Sequence, residues 1–241
     1  MRLKFFVLLL ALLPCGSARS QQSDVFAVKR PAREALPAIP DSALARYRTA
    51  ATDALLRSEH QILLLERLMT RDPEEGETNA ATLVLGGLPR LDSDALERRA
   101  RMRLALIEIT DSRTCAEWSS GVASELQVVH LLLSADSTVM NGWLDITMEA
   151  MVAEIRQHPE PAAFDGEAVE RLFTEIGATL SGPDEKRLWT VFDDLAWGLA
   201  TDTATCWLDR TVYESILAME PERRAEALRT MVAAEVADTE A

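Results

Sequence analysis

The chain has 241 residues with 25 basic and 39 acidic side chains, so its formal net charge at pH 7 is −14. Such an acidic protein repels the phosphate backbone of nucleic acids and the head groups of anionic lipids, which argues against either as a partner. Hydrophobic residues make up 48% of the sequence and aromatic residues only 5%, while Ala, Leu, Glu and Arg dominate. This composition predicts a folded, helix-rich protein and not a disordered chain.

Residues 1–18 have the pattern of a secretory signal peptide. Arg2 and Lys4 supply a basic start, residues 5–13 form an apolar stretch, and residues 16–18 are small, as expected before a cleavage site after Ala18. The apolar stretch is too short to cross a bilayer, which takes about 20 residues. The sequence therefore predicts an exported protein, periplasmic or secreted, whose mature form has no integral membrane span.

Cys15 offers an alternative mode of export. The stretch Leu12-Leu13-Pro14-Cys15 resembles a bacterial lipobox, in which the cysteine is acylated, but it has proline where that motif has a small residue. Soluble export is therefore the favoured interpretation, and an outer-envelope lipoprotein is the alternative. Residues 19–40 contain three prolines and lack a sustained period, so we expect a flexible tether before a single domain at residues 41–241.

Helical periodicity continues through almost all of this domain. Asp41 and Ser42 can cap a long helix over residues 42–70, in which apolar positions recur at intervals of three, four and seven. Two similar series of helices follow, over residues 76–158 and 165–240. No segment has the alternation that is typical of strands, so the predicted fold is an all-α, multi-helix domain with orthogonal or bundle-like packing.

A six-residue motif occurs twice, with a separation of 91 positions. Thr110-Asp111-Ser112-Arg113-Thr114-Cys115 shares four residues with Thr201-Asp202-Thr203-Ala204-Thr205-Cys206. Asp111 and Asp202 are predicted to cap equivalent helices, because aspartate is a favoured N-cap residue. The matched spacing indicates two degenerate helical repeats, and the alternative is a chance likeness between capped amphipathic helices.

Cys115 and Cys206 are the two cysteines expected as thiols in the mature chain, because Cys15 is either removed or acylated. A cysteine pair in an oxidising compartment predicts one disulfide, which would join the two repeat-like halves. Two buried thiols and an intermolecular bridge are the alternatives. The spacing fits neither a Cys-x-x-Cys redox motif nor a zinc site.

Candidate chemistry is limited to three histidines. His130 lies in a strongly apolar stretch, where a hydrogen-bonded core histidine is the favoured interpretation and a functional histidine the alternative. His60 is expected at the surface of the long helix. Glu154 and His158 share a helix face and could form half of a metal site, but an interaction of His158 with the helix C-terminus is the simpler interpretation.

The sequence lacks the motifs that identify common enzyme classes. It contains no Gly-x-Ser-x-Gly, His-Glu-x-x-His or Glu-x-x-His pattern and no phosphate-binding glycine loop. We therefore assign no catalytic residue, metal or cofactor. The favoured interpretation is a non-enzymatic binding or structural component of the cell envelope, which binds or supports another envelope component, such as a protein, through a groove between helices. The alternative is an envelope hydrolase that uses carboxylates with His130 or His60.

Overall fold

A computed structural model describes residues 39–69, 80–121 and 123–240. These residues form eleven α-helices and one 3-10 turn, Leu88–Arg90, and contain no strand, which confirms the predicted all-α fold. In chain order the helices are α1 (Asp41–Arg57), α2 (Gln61–Met69), α3 (Ala80–Gly87), α4 (Ser93–Glu108), α5 (Ser112–Ser119), α6 (Glu125–Ser134), α7 (Ser137–Arg156), α8 (Gly166–Thr179), α9 (Gly182–Ala196), α10 (Asp202–Ala218) and α11 (Pro221–Glu240).

Several predicted features lie outside the described residues. They are the signal peptide at residues 1–18, Cys15 within it, residues 19–38 of the tether, and residues 76–79 at the start of the first repeat-like series. Within the described ranges, no helix combines the length and the apolar composition that crossing a bilayer requires.

The prediction of one continuous helix over residues 42–70 is wrong. α1 ends at Arg57, Ser58 adopts an extended backbone with φ −63° and ψ 127°, and α2 begins only at Gln61. The Oγ atom of Ser58 accepts a hydrogen bond from the backbone N–H of His60 at 3.3 Å. Serine competes with helical bonding through such local hydrogen bonds. The helix therefore breaks although the apolar period continues across the break.

Helix α7 is the central element of the first half of the fold. It packs against α1, α2, α3, α4 and α6. It begins at the N-cap Asp136, whose carboxylate accepts hydrogen bonds from the backbone N–H groups two and three residues further on. Its inner face is almost completely buried at Leu144, Met148 and Met151. Because so many helices meet on α7, this helix sets the positions of the surrounding elements.

Helix α3 approaches α7 at two glycines. A Cβ atom added to Gly87 would lie 1.8 Å from the carbonyl oxygen of Ala150, and one added to Gly86 would lie 2.6 Å from the carboxyl carbon of Glu154. Gly177, which stands 91 positions after Gly86, has ordinary contacts at 3.5 Å. Gly86 and Gly177 therefore pack differently, and the duplication of the two halves stays a prediction.

The second half of the fold is built around α10, which packs against α4, α5, α8, α9 and α11. A disulfide of 2.03 Å between Cys115 and Cys206 joins α5 to α10, which is the predicted pairing. Cys115 is completely buried. Both halves share one hydrophobic cluster, which extends from Tyr47 in α1 to Val232 in α11.

The repeated Thr-Asp motif starts a helix at both places, but the capping residues differ. Asp111 is the N-cap of α5, and its carboxylate accepts hydrogen bonds from the backbone N–H groups two and three residues further on, at 3.1 Å and 3.0 Å. The prediction for Asp202 is wrong by one residue, because Thr201 is the N-cap of α10 and Asp202 lies in the first helical turn. Threonine and aspartate both cap helices well, so the motif alone does not distinguish the two neighbours.

Candidate functional site: a polar cleft beside helix α7

A cleft of about 570 Å³ opens between three elements of the first half. Its walls are formed by Ala54 and residues 57–60 at and after the end of α1, by residues 90–92 and Ala95 around the start of α4, and by parts of residues 145–159 in and after α7. The break after Arg57 belongs to one wall, so the interruption of the predicted long helix also helps to shape the cleft. The volume falls within the range of about 300–1,000 Å³ that is usual for ligand sites.

His60 and Arg156 form a direct contact at this cleft, with 3.0 Å between His60 Nδ1 and Arg156 Nη2. A guanidinium only donates hydrogen bonds, so Nδ1 accepts and the neutral ring carries its proton on Nε2. In that state one lone pair is occupied by Arg156, and the other nitrogen is protonated. His60 therefore cannot act as a general base while the contact with Arg156 persists.

Two further ion pairs connect the walls of the cleft. Arg57 on α1 donates to Asp145 on α7 at 2.7 Å, and Arg98 on α4 donates to both oxygens of Glu149 on α7 at 2.6 Å and 2.8 Å. Exposed pairs of this kind contribute at most about 1 kcal/mol each. Their main consequence is that carboxylates of the cleft are already engaged by arginines.

Arg90 fixes the inner end of the cleft. Its side chain is only 9% exposed, and all three of its nitrogens donate hydrogen bonds: Nε to Glu154 at 2.9 Å, Nη1 to the carbonyl oxygen of Pro159 at 2.8 Å, and Nη2 to Gln157 at 2.7 Å. A buried guanidinium needs such complete pairing to offset its desolvation. These bonds hold the segment after α7 against the 3-10 turn, and that segment includes His158.

Glu154 and His158 do not form a metal site in this arrangement. The carboxylate of Glu154 accepts hydrogen bonds from Arg90 and from the side chain of Gln157. Across the described residues, no group of three or more His, Cys, Asp or Glu side chains is placed to hold a metal ion. His158 instead lines the same cleft as His60. The sequence did not predict that both histidines line one cleft, because this depends on the packing of α1 against α7.

His130 lies away from the residues that line the cleft. It is half-buried on α6, and its Nε2 atom is shielded from solvent without a hydrogen-bond partner among the described residues. The interpretation of His130 as a hydrogen-bonded core histidine therefore stays a prediction. Within the same residues, no hydrogen bond or ion pair joins its ring to a carboxylate, so the geometry supplies no acid–base pair there.

A second group of charges lies where α4, α10 and α11 meet. Arg103 donates to both oxygens of Asp209 at 3.0–3.2 Å, and Arg99 donates to both oxygens of Glu235 at 2.7 Å and 2.9 Å. The two arginines are 5% exposed. Arg103 also lies 4.8 Å from the ring centre of Trp118. We call Arg99, Arg103, Asp209 and Glu235 the buried charge cluster.

The buried charge cluster is electrically balanced and closed. Burial disfavours the charged form of Arg103, but the combined attraction of Asp209, Tyr213 and Glu235 outweighs it and raises the pKa of Arg103 well above its ordinary value. Burial likewise opposes ionisation of Glu235, yet the arginines hold the pKa of Glu235 below its ordinary value. The two arginines and Glu235 therefore stay charged at neutral pH, and each is held in an ion pair, which is the behaviour of a structural cluster.

Sequence reasoning missed this cluster, although one local signal was present. Arg99 and Arg103 are one helical turn apart on the face of α4 that also carries Leu96 and Ala100.

The chain matches no protein-family model, no curated protein and no solved structure. Function is therefore inferred from the cleft itself.

Proposed function

We propose that this is an exported, non-enzymatic binding protein of the cell envelope that holds a segment of another envelope component in the cleft beside α7. The observation that carries the proposal is the state of the polar groups in that cleft. His60 is occupied by Arg156, Asp145 by Arg57, and Glu149 by Arg98. Among the described residues, the ring of His60 and these two carboxylates are therefore already engaged and do not activate a nucleophile, which favours binding over catalysis.

The lining suits a ligand that has both apolar and polar parts. Leu91, Met148 and Val152 are buried apolar residues at the base of the cleft, whereas Arg57 and Arg156 are exposed. Ligand sites commonly combine an apolar base with a few polar groups that orient the ligand. A polypeptide segment with an apolar side chain and a hydrogen-bond acceptor meets both requirements.

Export rests on the leader-like residues 1–18, which precede the described part of the chain. The mass of the mature N-terminus distinguishes the two modes of export. Cleavage after Ala18 gives a soluble form, and an acylated Cys15 gives a lipoprotein. A full-length, unprocessed chain in the cytoplasmic fraction would contradict export altogether.

Site-specific photo-crosslinking in the native envelope tests the binding role. A photoreactive residue replaces Glu59 at the cleft in one variant and the exposed Glu222 at the start of α11 in the control. We expect a discrete cross-linked species from position 59 and none from position 222. The yield of this cross-linked species should fall when Arg156→Ala is added. Absence of any cross-link at position 59, or identical products from both positions, would contradict the proposal.

The hydrolase alternative has a separate test. His130→Ala or His60→Ala would have to abolish an envelope-degrading activity while leaving the unfolding free energy nearly unchanged. The hydrogen bond of His60 to Arg156 and the absence of a described carboxylate partner for the ring of His130 both argue against this outcome.

A further inference from the structure

An exposed apolar surface lies at the C-terminal end of α9, in the second half of the fold. Trp197 is 79% exposed and Leu199 is 67% exposed, and on α9 itself Trp189 and Leu195 are each 38% exposed. Isolated exposed apolar residues are ordinary, but Trp197 and Leu199 lie two positions apart and are both at least 67% exposed, and the partly exposed Trp189 and Leu195 precede them on α9. We call these four residues the Trp197 surface.

The backbone holds this surface in a fixed conformation. Gly198 has φ 67°, its N–H donates to the carbonyl of Leu195 at 3.0 Å, and the N–H of Leu199 donates to the carbonyl of Asp194 at 2.7 Å. This pair of bonds is a Schellman motif, in which the residue after the glycine usually makes an apolar contact with the last turn of the helix. Here that turn presents Asp194 instead, so Leu199 remains largely exposed.

The charged residues nearest to Trp197 and Leu199 along the chain are negative, whereas Lys186 and Arg187 lie within one turn of Trp189, and Arg187 lies over the ring of Trp207. Residues 188–209 contain no Lys, Arg or His, and they include Asp193, Asp194 and Asp202 near the exposed apolar residues. An isologous contact with a second copy would bring these aspartates against one another. An anionic lipid surface would repel them as well.

We propose that the Trp197 surface docks a cationic amphipathic segment of a partner polypeptide, a role distinct from binding at the cleft. An apolar face on the segment would cover Trp197 and Leu199, and flanking Lys or Arg side chains would pair with Asp193 and Asp194. Rigid exposed tryptophans are the residues that most often dominate the energy of protein interfaces. The fixed turn reduces the entropy lost on binding, because the surface is already ordered.

The test titrates the mature protein with a synthetic amphipathic helix of Leu and Lys of about 18 residues, and with a helix of Leu and Glu of the same length. Binding is measured by fluorescence anisotropy of the labelled peptide. We expect the Lys peptide to bind and the Glu peptide not to bind. Trp197→Ala should weaken binding of the Lys peptide at least about ten-fold, as truncation of an interface tryptophan commonly does.

Ile62→Ala is the matched control, because Ile62 is 75% exposed on α2 and lies outside the Trp197 surface. It should leave the affinity unchanged, whereas Asp193→Asn with Asp194→Asn should weaken binding and reduce its salt dependence. Equal affinities of the Trp197→Ala and Ile62→Ala variants would overturn the proposal, since attraction would then be unspecific. Failure of the Lys peptide to bind, Trp197-dependent binding to zwitterionic phosphatidylcholine vesicles alone, or a Trp197-dependent dimer in sedimentation would overturn it too.

Discussion

Arg103 of α4 and Asp209 of α10 form a two-point ion pair in the interior, with the side chains only 6% and 11% exposed. Asp209 accepts a further hydrogen bond from Ser119 Oγ on α5 at 2.5 Å. Ser119 lies one helical turn after Cys115, and Asp209 lies one turn after Cys206. The ion pair and the disulfide therefore join the same helices side by side.

Removing the negative charge of Asp209 should destabilise the fold strongly. Asp209→Asn keeps the shape of the side chain but leaves Arg103 buried without its principal counter-ion, and breaking a buried pair in this way costs about 3–5 kcal/mol. Urea unfolding measures the change in free energy. The matched control on the same helix is Glu214→Gln, whose carboxylate pairs with Arg210 at the surface. Its expected cost is about 0.5 kcal/mol, and equal effects of the two substitutions would contradict the prediction.

Glu235 should make stability depend on pH in the acid range. The arginines lower its pKa in the folded protein from the ordinary value of 4.5. As the pH falls, the unfolded chain therefore takes up this proton first, so the stabilisation is complete above the ordinary pKa and is lost as the pH falls through the folded pKa. Unfolding free energies measured between pH 7 and pH 3 should decline less steeply in Glu235→Gln than in the native protein. If the unfolding free energies of the two proteins declined in parallel with pH, Glu235 would not be the group that makes stability depend on pH.

The disulfide between Cys115 and Cys206 should stabilise the protein mainly by restricting the unfolded chain. It closes a loop across a separation of 91 positions, which is worth about 4 kcal/mol in the chain-entropy model. Reduction should lower the melting temperature while the circular dichroism of the helices at room temperature stays unchanged. Two free thiols in the protein isolated from its natural host, found by mass spectrometry, would show that the bridge is not formed there.

The fold class and the disulfide could be predicted because their signals are local or almost unique. Each segment contains its own helical periodicity. Once Cys15 is assigned to the predicted leader, a single pair of cysteines leaves few alternatives. The break between Arg57 and Gln61 could not be predicted in the same way. The apolar period is uninterrupted there, and the local hydrogen bonds of Ser58 mark the end of the helix.

The cleft and the buried charge cluster depend on contacts between distant segments. Arg99 and Glu235 are 136 positions apart, and Arg90 reaches Glu154 across 64 positions. An arginine on an apolar helix face is a local signal, but it equally indicates a side chain that extends along the surface to reach water. The approach of the other helices decides which arginines become buried. The periodicity of the sequence does not indicate how those helices approach.

The contact of α3 with α7 gives a sharp test of the packing around the cleft. Gly87→Ala would place a Cβ atom 1.8 Å from the carbonyl oxygen of Ala150, which is backbone and cannot rotate away. The two helices must separate, so we expect a loss of about 1–3 kcal/mol or more in urea unfolding.

The same change at Gly182 is the matched control, because nothing lies within 4 Å of its added Cβ. Gly182 is the first residue of α9, and alanine there should leave stability unchanged or raise it by about 0.4–1 kcal/mol through a less flexible unfolded chain. Both variants remove one glycine, so the difference between them isolates the steric contact with Ala150. A Gly87→Ala protein as stable as the Gly182→Ala protein would mean that α3 and α7 do not approach backbone to backbone, and the wall of the cleft that α7 forms would then be placed differently.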